Sequence, residues 1–165
     1  MGNITSIDKI RLNNAEFSEI PKFSLNGLRK DCKILKIYDG DTLWLASALF
    51  NNKLYRFNVR MKGYDSPEMK PSLKKSDREM EIVAAKSAKK FLEDLILNRI
   101  VNVIFYDFDK YGRPLCEIYI PKKGKKCCLG AREKICVNTL MIEKGHGYPY
   151  NGGTKKEFTT RDEKL

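Results

Sequence analysis

Lys33-Ile34-Leu35-Lys36-Ile37-Tyr38-Asp39-Gly40-Asp41-Thr42, read on through Leu54-Tyr55-Arg56-Phe57-Asn58-Val59-Arg60-Met61, is the text that decides the fold. Ile34 to Tyr38 is apolar and stops at an Asp-Gly turn, which predicts a strand and a tight reversal. Thr42 to Ala48 is a second apolar run. It ends at Asn51-Asn52, a pair that tolerates the positive φ of a hairpin turn. Leu54 to Met61 alternates, with Tyr55, Phe57, Val59 and Met61 on one face and Arg56, Asn58 and Arg60 on the other. Three strands joined by tight turns predict an antiparallel meander.

Outward from that meander, Gly63 to Asp77 reads as loop, with Pro67, Pro71 and the cations Lys70, Lys74 and Lys75. Ser76-Asp77-Arg78-Glu79 fits a capping box, with Ser76 as N-cap and Glu79 reaching back. The helix it opens runs to about Asn98. Its expected apolar face holds Val83, Ser87, Phe91 and Leu95 beside Ala84, Ala88, Leu92 and Ile96. Ile100 to Tyr106 and Leu115 to Ile120 are two more strands. Pro121 to Lys134 is a basic insertion, and Val137 to Lys144 a short helix stopped by Gly145. The expected fold is α+β: a five-stranded OB-like β-barrel with two or three packed helices. Residues 1–31 read as an N-terminal extension, 32–150 as the domain and 151–165 as a polar tail.

The 165 residues suffice for one domain with a real core. A net charge of +11 and a pI near 9.4 favour polyanions, nucleic acid before an anionic membrane surface. Cys32, Cys116, Cys127, Cys128 and Cys136 are odd in number and match no disulfide framework. With no secretory signal at the N-terminus, free thiols in a reducing intracellular compartment are expected. No apolar run approaches the ~20 residues that span a bilayer.

Three blocks carry chemistry: Asp39-Gly40-Asp41-Thr42, then Arg60 with Asp65-Ser66-Pro67-Glu68, then Asp109-Lys110-Tyr111-Gly112-Arg113. They supply carboxylates for a hard cation, a further carboxylate, and two guanidinium forks that grip phosphate. Together they can cut a phosphodiester. Taken singly, each has a plainer reading. Asp39 and Asp41 could cap a turn, Arg60 and Glu68 could form a surface ion pair, Arg113 could be a solvated loop residue, and Tyr148 and Tyr150 could be packing. The one histidine, His146, follows a helix end and reads as structural, against nucleases that depend on histidine. Cys127, Cys128, Cys136 and His146 do not have the spacing of a zinc knuckle.

With those positions placed, the text KILKIYDGDT, FNVRMKGYDSPE, DFDKYGRPL and VNTLMIEKGHGYPY resembles the staphylococcal nuclease (thermonuclease) family over roughly residues 33–150. The resemblance implies a Ca2+-dependent, sequence-nonspecific endo- or exonuclease that hydrolyses DNA and RNA to 3′-phosphates. It implies Asp41, Asp65 and the carbonyl of Ser66 as calcium ligands, with Asp39 near the ion. Threonine is usual at the Ser66 position, and a carbonyl contact makes the change of little consequence. Glu68 is implied as general base, and Arg60 and Arg113 as phosphate-binding catalytic residues. Lys110 and Tyr111 would touch a terminal phosphate, and Tyr148 and Tyr150 would flank a bound base.

Two further features depart from the family pattern. The family's C-terminal helix is missing from the text after Tyr150, so Phe17, Ile20, Phe23 and Leu25 are expected to cover the surface it would leave. Met1-Gly2-Asn3-Ile4-Thr5-Ser6 fits the pattern for N-myristoylation of Gly2. With a basic surface this implies reversible association with a cytoplasmic membrane face or a virion. Beside the nuclease stand two other functions: a non-catalytic module that binds nucleic acid or protein, and a structural component of a larger assembly. Retention of Asp41, Arg60, Asp65, Glu68 and Arg113 favours the enzyme.

Overall fold

The computed structural model describes residues 5–50, 52–122 and 133–153. Gly2, Asn51, Cys127, Cys128, most of the basic insertion and the tail beyond Gly153 lie outside them. The described elements run α1 (Ser6–Asn13), β1 (Arg29–Ile37), β2 (Thr42–Phe50), β3 (Lys53–Met61), β4 (Tyr64–Asp65), α2 (Arg78–Ile96), β5 (Ile100–Phe108), β6 (Pro114–Pro121), β7 (Lys134–Cys136), α3 (Val137–Glu143) and β8 (Tyr148–Pro149).

β1 begins five residues before its apolar run at Ile34, because it serves two partners. Arg29 to Lys33 pairs antiparallel with β5, and Lys33 to Ile37 with β2. The register shifts between Ile34 and Lys36, which is how both Ile34 and Ile37 turn inward although three positions apart. β2 pairs with β3, β5 with β6, and β3 meets β6 in parallel, Arg60 opposite Leu115. That last pairing closes the five strands β1, β2, β3, β6 and β5 into a barrel, as expected. Ile34, Leu43, Leu45, Val59, Val103, Phe105 and Ile118 are fully buried inside it. At the outer end of the β2–β3 hairpin Leu54 and Tyr55 are exposed, and Asn52 takes the positive φ of 57° that the turn requires.

α2 differs from its expected form in two respects. Its N-cap is Asp77, with no side-chain cap bond; Ser76 donates to the Asp77 carboxylate and Glu79 pairs with Arg78, so the capping box does not form. Its buried face is Glu81, Ala85, Ala88, Leu92 and Ile96, leaving Val83 two-thirds exposed. The face is turned because Glu81, not an apolar residue, takes the inner position of the first turn. Its carboxylate accepts from the Glu68 amide at 3.1 Å and from Lys75 Nζ at 2.7 Å. α3 packs on β6 through Val137 and Met141. Asn138 accepts from the Ile118 amide at 3.0 Å and donates to the carbonyls of Lys62 and Cys116, both at 2.9 Å.

The N-terminal segment does not cover the barrel as a block. Only Leu25 joins the core, with Leu28 packed against it; Phe17 is 98% exposed, and Ile20 and Phe23 are mostly exposed. α1 buries nothing and is held by its own capping box, Thr5 with Asp8. Those capping bonds satisfy orphan groups of its first turn without any barrel surface.

Candidate active site

Asp39 builds the first wall. Its Oδ1 accepts from the amides of Asp41 at 3.1 Å and Thr42 at 2.8 Å, a side-chain turn that points the next carboxylate inward. Gly40 has no room for a side chain: a Cβ there would lie 2.7 Å from Ser66 Cβ and 3.0 Å from Ala88 Cβ. Its carbonyl accepts from the buried Tyr64 hydroxyl at 2.6 Å. The Asp-Gly turn is thereby pressed against the loop that carries Asp65 and Ser66.

Asp41 and Asp65 are each only 3% exposed and converge on one guanidinium. Arg60 Nη1 donates to Asp41 Oδ1 at 2.6 Å and Nη2 to Asp65 Oδ1. Arg60 is thus the partner of both aspartates. Asp41 also accepts from Thr42 Oγ1 at 2.9 Å, and from the amide and hydroxyl of Ser66 at 2.9 and 3.0 Å. β4 and β8 pair Asp65 with Tyr148, whose hydroxyl donates to Asp65 Oδ2 at 3.0 Å. Burial, and after it the Asp65 charge, pushes the Tyr148 phenol up.

A cleft of about 760 Å³ opens over these groups, lined by Asp39, Asp41, Arg60, Asp65, Ser66, Glu68, Lys110, Tyr111, Arg113 and Tyr150. Glu68 is exposed at its rim. Arg113 is anchored by Asp109, which receives Nε and Nη2 on Oδ2, both at 2.7 Å, and the Arg113 and Tyr111 amides on Oδ1 at 2.9 Å. Arg113 Nη1 also donates to Thr42 Oγ1 at 3.3 Å. Burial alone would raise the Asp109 carboxyl, but the bonds from Arg113 and Tyr111 together hold it below its ordinary value. Of the residues expected at the site, Tyr148 does not line this cleft; its hydroxyl braces Asp65 instead.

Four contributors had no role assigned from the sequence, although Thr42 and Asp109 stand inside its chemical blocks. Thr42 links Asp41 to Arg113, Asp109 clamps Arg113, Tyr64 braces the Gly40 turn, and Glu81 holds the Glu68 backbone. Glu81 did leave a signal: it sits four positions before Ala85 on the buried side of α2, where an acid needs partners.

A hard cation fits the donor set. A single cationic group already bridges Asp41 and Asp65, every available donor there is oxygen, and the acids are concentrated here in a chain of net charge +11. Burial pushes the Asp41 carboxyl up, Arg60 pulls it down, and the charges of Asp39 and Asp65 push it up again, a balance that added positive charge would relieve. Among the described residues no three His, Cys, Asp or Glu side chains group as ligands. His146, by contrast, packs its ring on Phe91 at 4.4 Å, and Cys136 is a free thiol.

No curated protein matches the chain. The model of the family described as staphylococcal nuclease homologue matches residues 58–165, from the last four residues of β3 through the loop of Asp65 and Glu68 to the end. The match spans well over half of the chain, and its description agrees with a five-stranded barrel closed by β3 and β6: the chain belongs to the staphylococcal nuclease homologue family.

Proposed function

We propose that this chain is a Ca2+-dependent, sequence-nonspecific nuclease that hydrolyses DNA and RNA to 3′-phosphate products. The observation that carries the reading is the convergence of Asp41 and Asp65 in the same cleft as Glu68 and Arg113. Asp41, Asp65 and the Ser66 carbonyl would hold the calcium ion, which when bound supplies positive charge to neutralise a phosphate oxygen.

The remaining work falls to the chain's own groups. Glu68 at the rim takes a proton from the water whose oxygen attacks phosphorus. The bond from phosphorus to the 5′-oxygen breaks, and that oxygen leaves with the electron pair and takes a proton from solvent. Arg113, held by Asp109, donates to the phosphate as charge builds on it and toward the departing oxygen. Arg60 stands over the cleft on its two carboxylates and shares its N–H donors with the phosphate. Lys110 and Tyr111, both exposed, hold a terminal phosphate; Tyr150 offers a face to the base.

The test is cleavage of single-stranded DNA with Ca2+ and with EDTA, for the native chain and a Glu68→Ala, Arg113→Ala double variant. Calcium-dependent cutting that the variant lacks supports the enzyme. Equal, tight binding by both proteins without cutting refutes it in favour of a binding module. Membrane association through Gly2 belongs to the same reading. α1, just past that glycine, exposes Ile7, Ile10 and Leu12 beside Lys9 and Arg11. Mass spectrometry of protein made in a eukaryotic host checks it, and an unmodified Gly2 rejects it.

A further inference from the structure

We propose that the chain carries a second nucleotide subsite next to the catalytic cleft, where a base flanking the scissile phosphate of a single strand stacks against Phe23, Phe108 and Tyr111. The proposal rests on the nuclease reading and names where its substrate continues. A groove of about 380 Å³ is lined by Phe23, Arg56, Asn58, Phe108, Tyr111 and Arg113, and by none of the site carboxylates. Tyr111 and Arg113 line both the groove and the cleft, so the two adjoin at these residues.

One wall is aromatic. The Phe23 and Phe108 rings lie 6.0 Å apart and tilted, 65% and 38% exposed, and Tyr111 is 72% exposed. Phe23 is placed by its neighbours: Ser24 Oγ donates to Asp107, Leu25 is in the core, and the Gly27 amide donates to the Phe105 carbonyl at 2.9 Å. The extension is thereby stitched to β5 at this point. The opposite side is polar and basic, formed by Arg56 and Asn58, which share the outward face of β3 with Arg60. Arg56 lies over Trp44, with 4.9 Å between its guanidinium carbon and the ring centroid. Asn58 Oδ1 is shielded from solvent and has no hydrogen-bond partner among the described residues.

Aromatic faces beside cations, adjoining a cleft lined by Arg60 and Arg113 on a chain of charge +11, select a polyanion whose bases are free to stack. That is a single strand, since a duplex keeps its base faces buried.

The experiment uses thymidylate oligonucleotides of two and six nucleotides, in EDTA so that nothing is cut, with affinity read by fluorescence anisotropy. Trp44, the chain's one tryptophan, reports the groove independently through Arg56. The hexamer is expected to change Trp44 emission and to bind at least roughly tenfold more tightly than the dimer. Phe23→Ala should remove roughly five- to tenfold of hexamer affinity and leave the dimer unchanged, with Phe23→Tyr restoring the loss. An unchanged melting temperature shows that the exposed Phe23 side chain was not lost with the fold. Equal weakening of both lengths by Phe23→Ala, no weakening at all, or a duplex that binds like the hexamer overturns the subsite. If neither length binds the native chain and none is cut with Ca2+, the nuclease reading falls as well. If the hexamer binds and is cut but ignores Phe23, the subsite alone is wrong.

Discussion

Two residues outside the reacting groups set how well the site is built. At Gly40 a methyl group would meet Ser66 Cβ at 2.7 Å, and Ser66 is fixed by its own bonds to Asp41. Neither side can yield cheaply, so Gly40→Ala is expected to cost roughly 1–3 kcal/mol of stability by overpacking. It should also move Asp41 relative to Ser66, which calorimetric titration with Ca2+ would read as weakened binding. In the proposed nuclease Asp109 would act one step removed from substrate, as a positioning residue for Arg113. Asp109→Asn keeps the shape but loses the charge that orients the guanidinium. Cleavage should fall roughly ten- to a hundredfold, from misplacement of that one group. The loss should appear in kcat more than in KM, whereas a purely structural effect would lower the melting temperature and leave both constants of the folded fraction intact.

Among the elements, β1 divides the N-terminal segment into a dispensable part and an essential one. Residues 5–23 bury no large side chain, while Leu25 and Leu28 pack on the core and Arg29 to Lys33 pairs with β5. Removing residues 1–22 should shift the melting temperature by no more than a few degrees. Removing 1–31 should lower it sharply, since it strips a core leucine and several rungs of a barrel strand. Comparable losses from both deletions would contradict this division. α3 presents a similar single point of failure. The side chain of Asn138 serves three main-chain groups on two other segments, so Asn138→Leu should cost about 3 kcal/mol in chemical denaturation by leaving buried groups unpaired. The meander, both later strands and α3 were legible because alternation and turn residues report local geometry. The early start of β1 was not, because Arg29, Lys30 and Asp31 owe their strand form to β5, some seventy residues on. The turned face of α2 was hidden for the same reason, since Glu81 is inward only because Lys75 and the Glu68 amide await it.

At the scale of the whole molecule, the identities of Asp41, Arg60, Asp65, Glu68 and Arg113 could be read from motif order, but their pairing could not. That Arg60 belongs to the two aspartates depends on closure of the barrel, which sets β3 beside β6 and carries the loop of Asp65 back over the Asp39–Thr42 turn. Global electrostatics offer a check that no single motif offers. The chain has one histidine, His146, half-buried against Phe91, and burial lowers its pKa below the ordinary value. A histidine held neutral by the fold binds its proton more readily in the unfolded chain, so the native state is favoured most above the unfolded pKa of about 6.5. As pH falls below that value and passes through the lowered folded pKa, the contribution is lost. Other groups titrate in the same range, and Asp41, whose carboxyl is raised, works with the opposite sign. The informative quantity is therefore a difference: the stability of the native chain minus that of His146→Gln, followed by urea denaturation from pH 7.5 down to about 5. It should be flat above about 6.5 and decline below it. A difference that stays level through that window, or rises toward acid, would mean that the ring is not held neutral against Phe91.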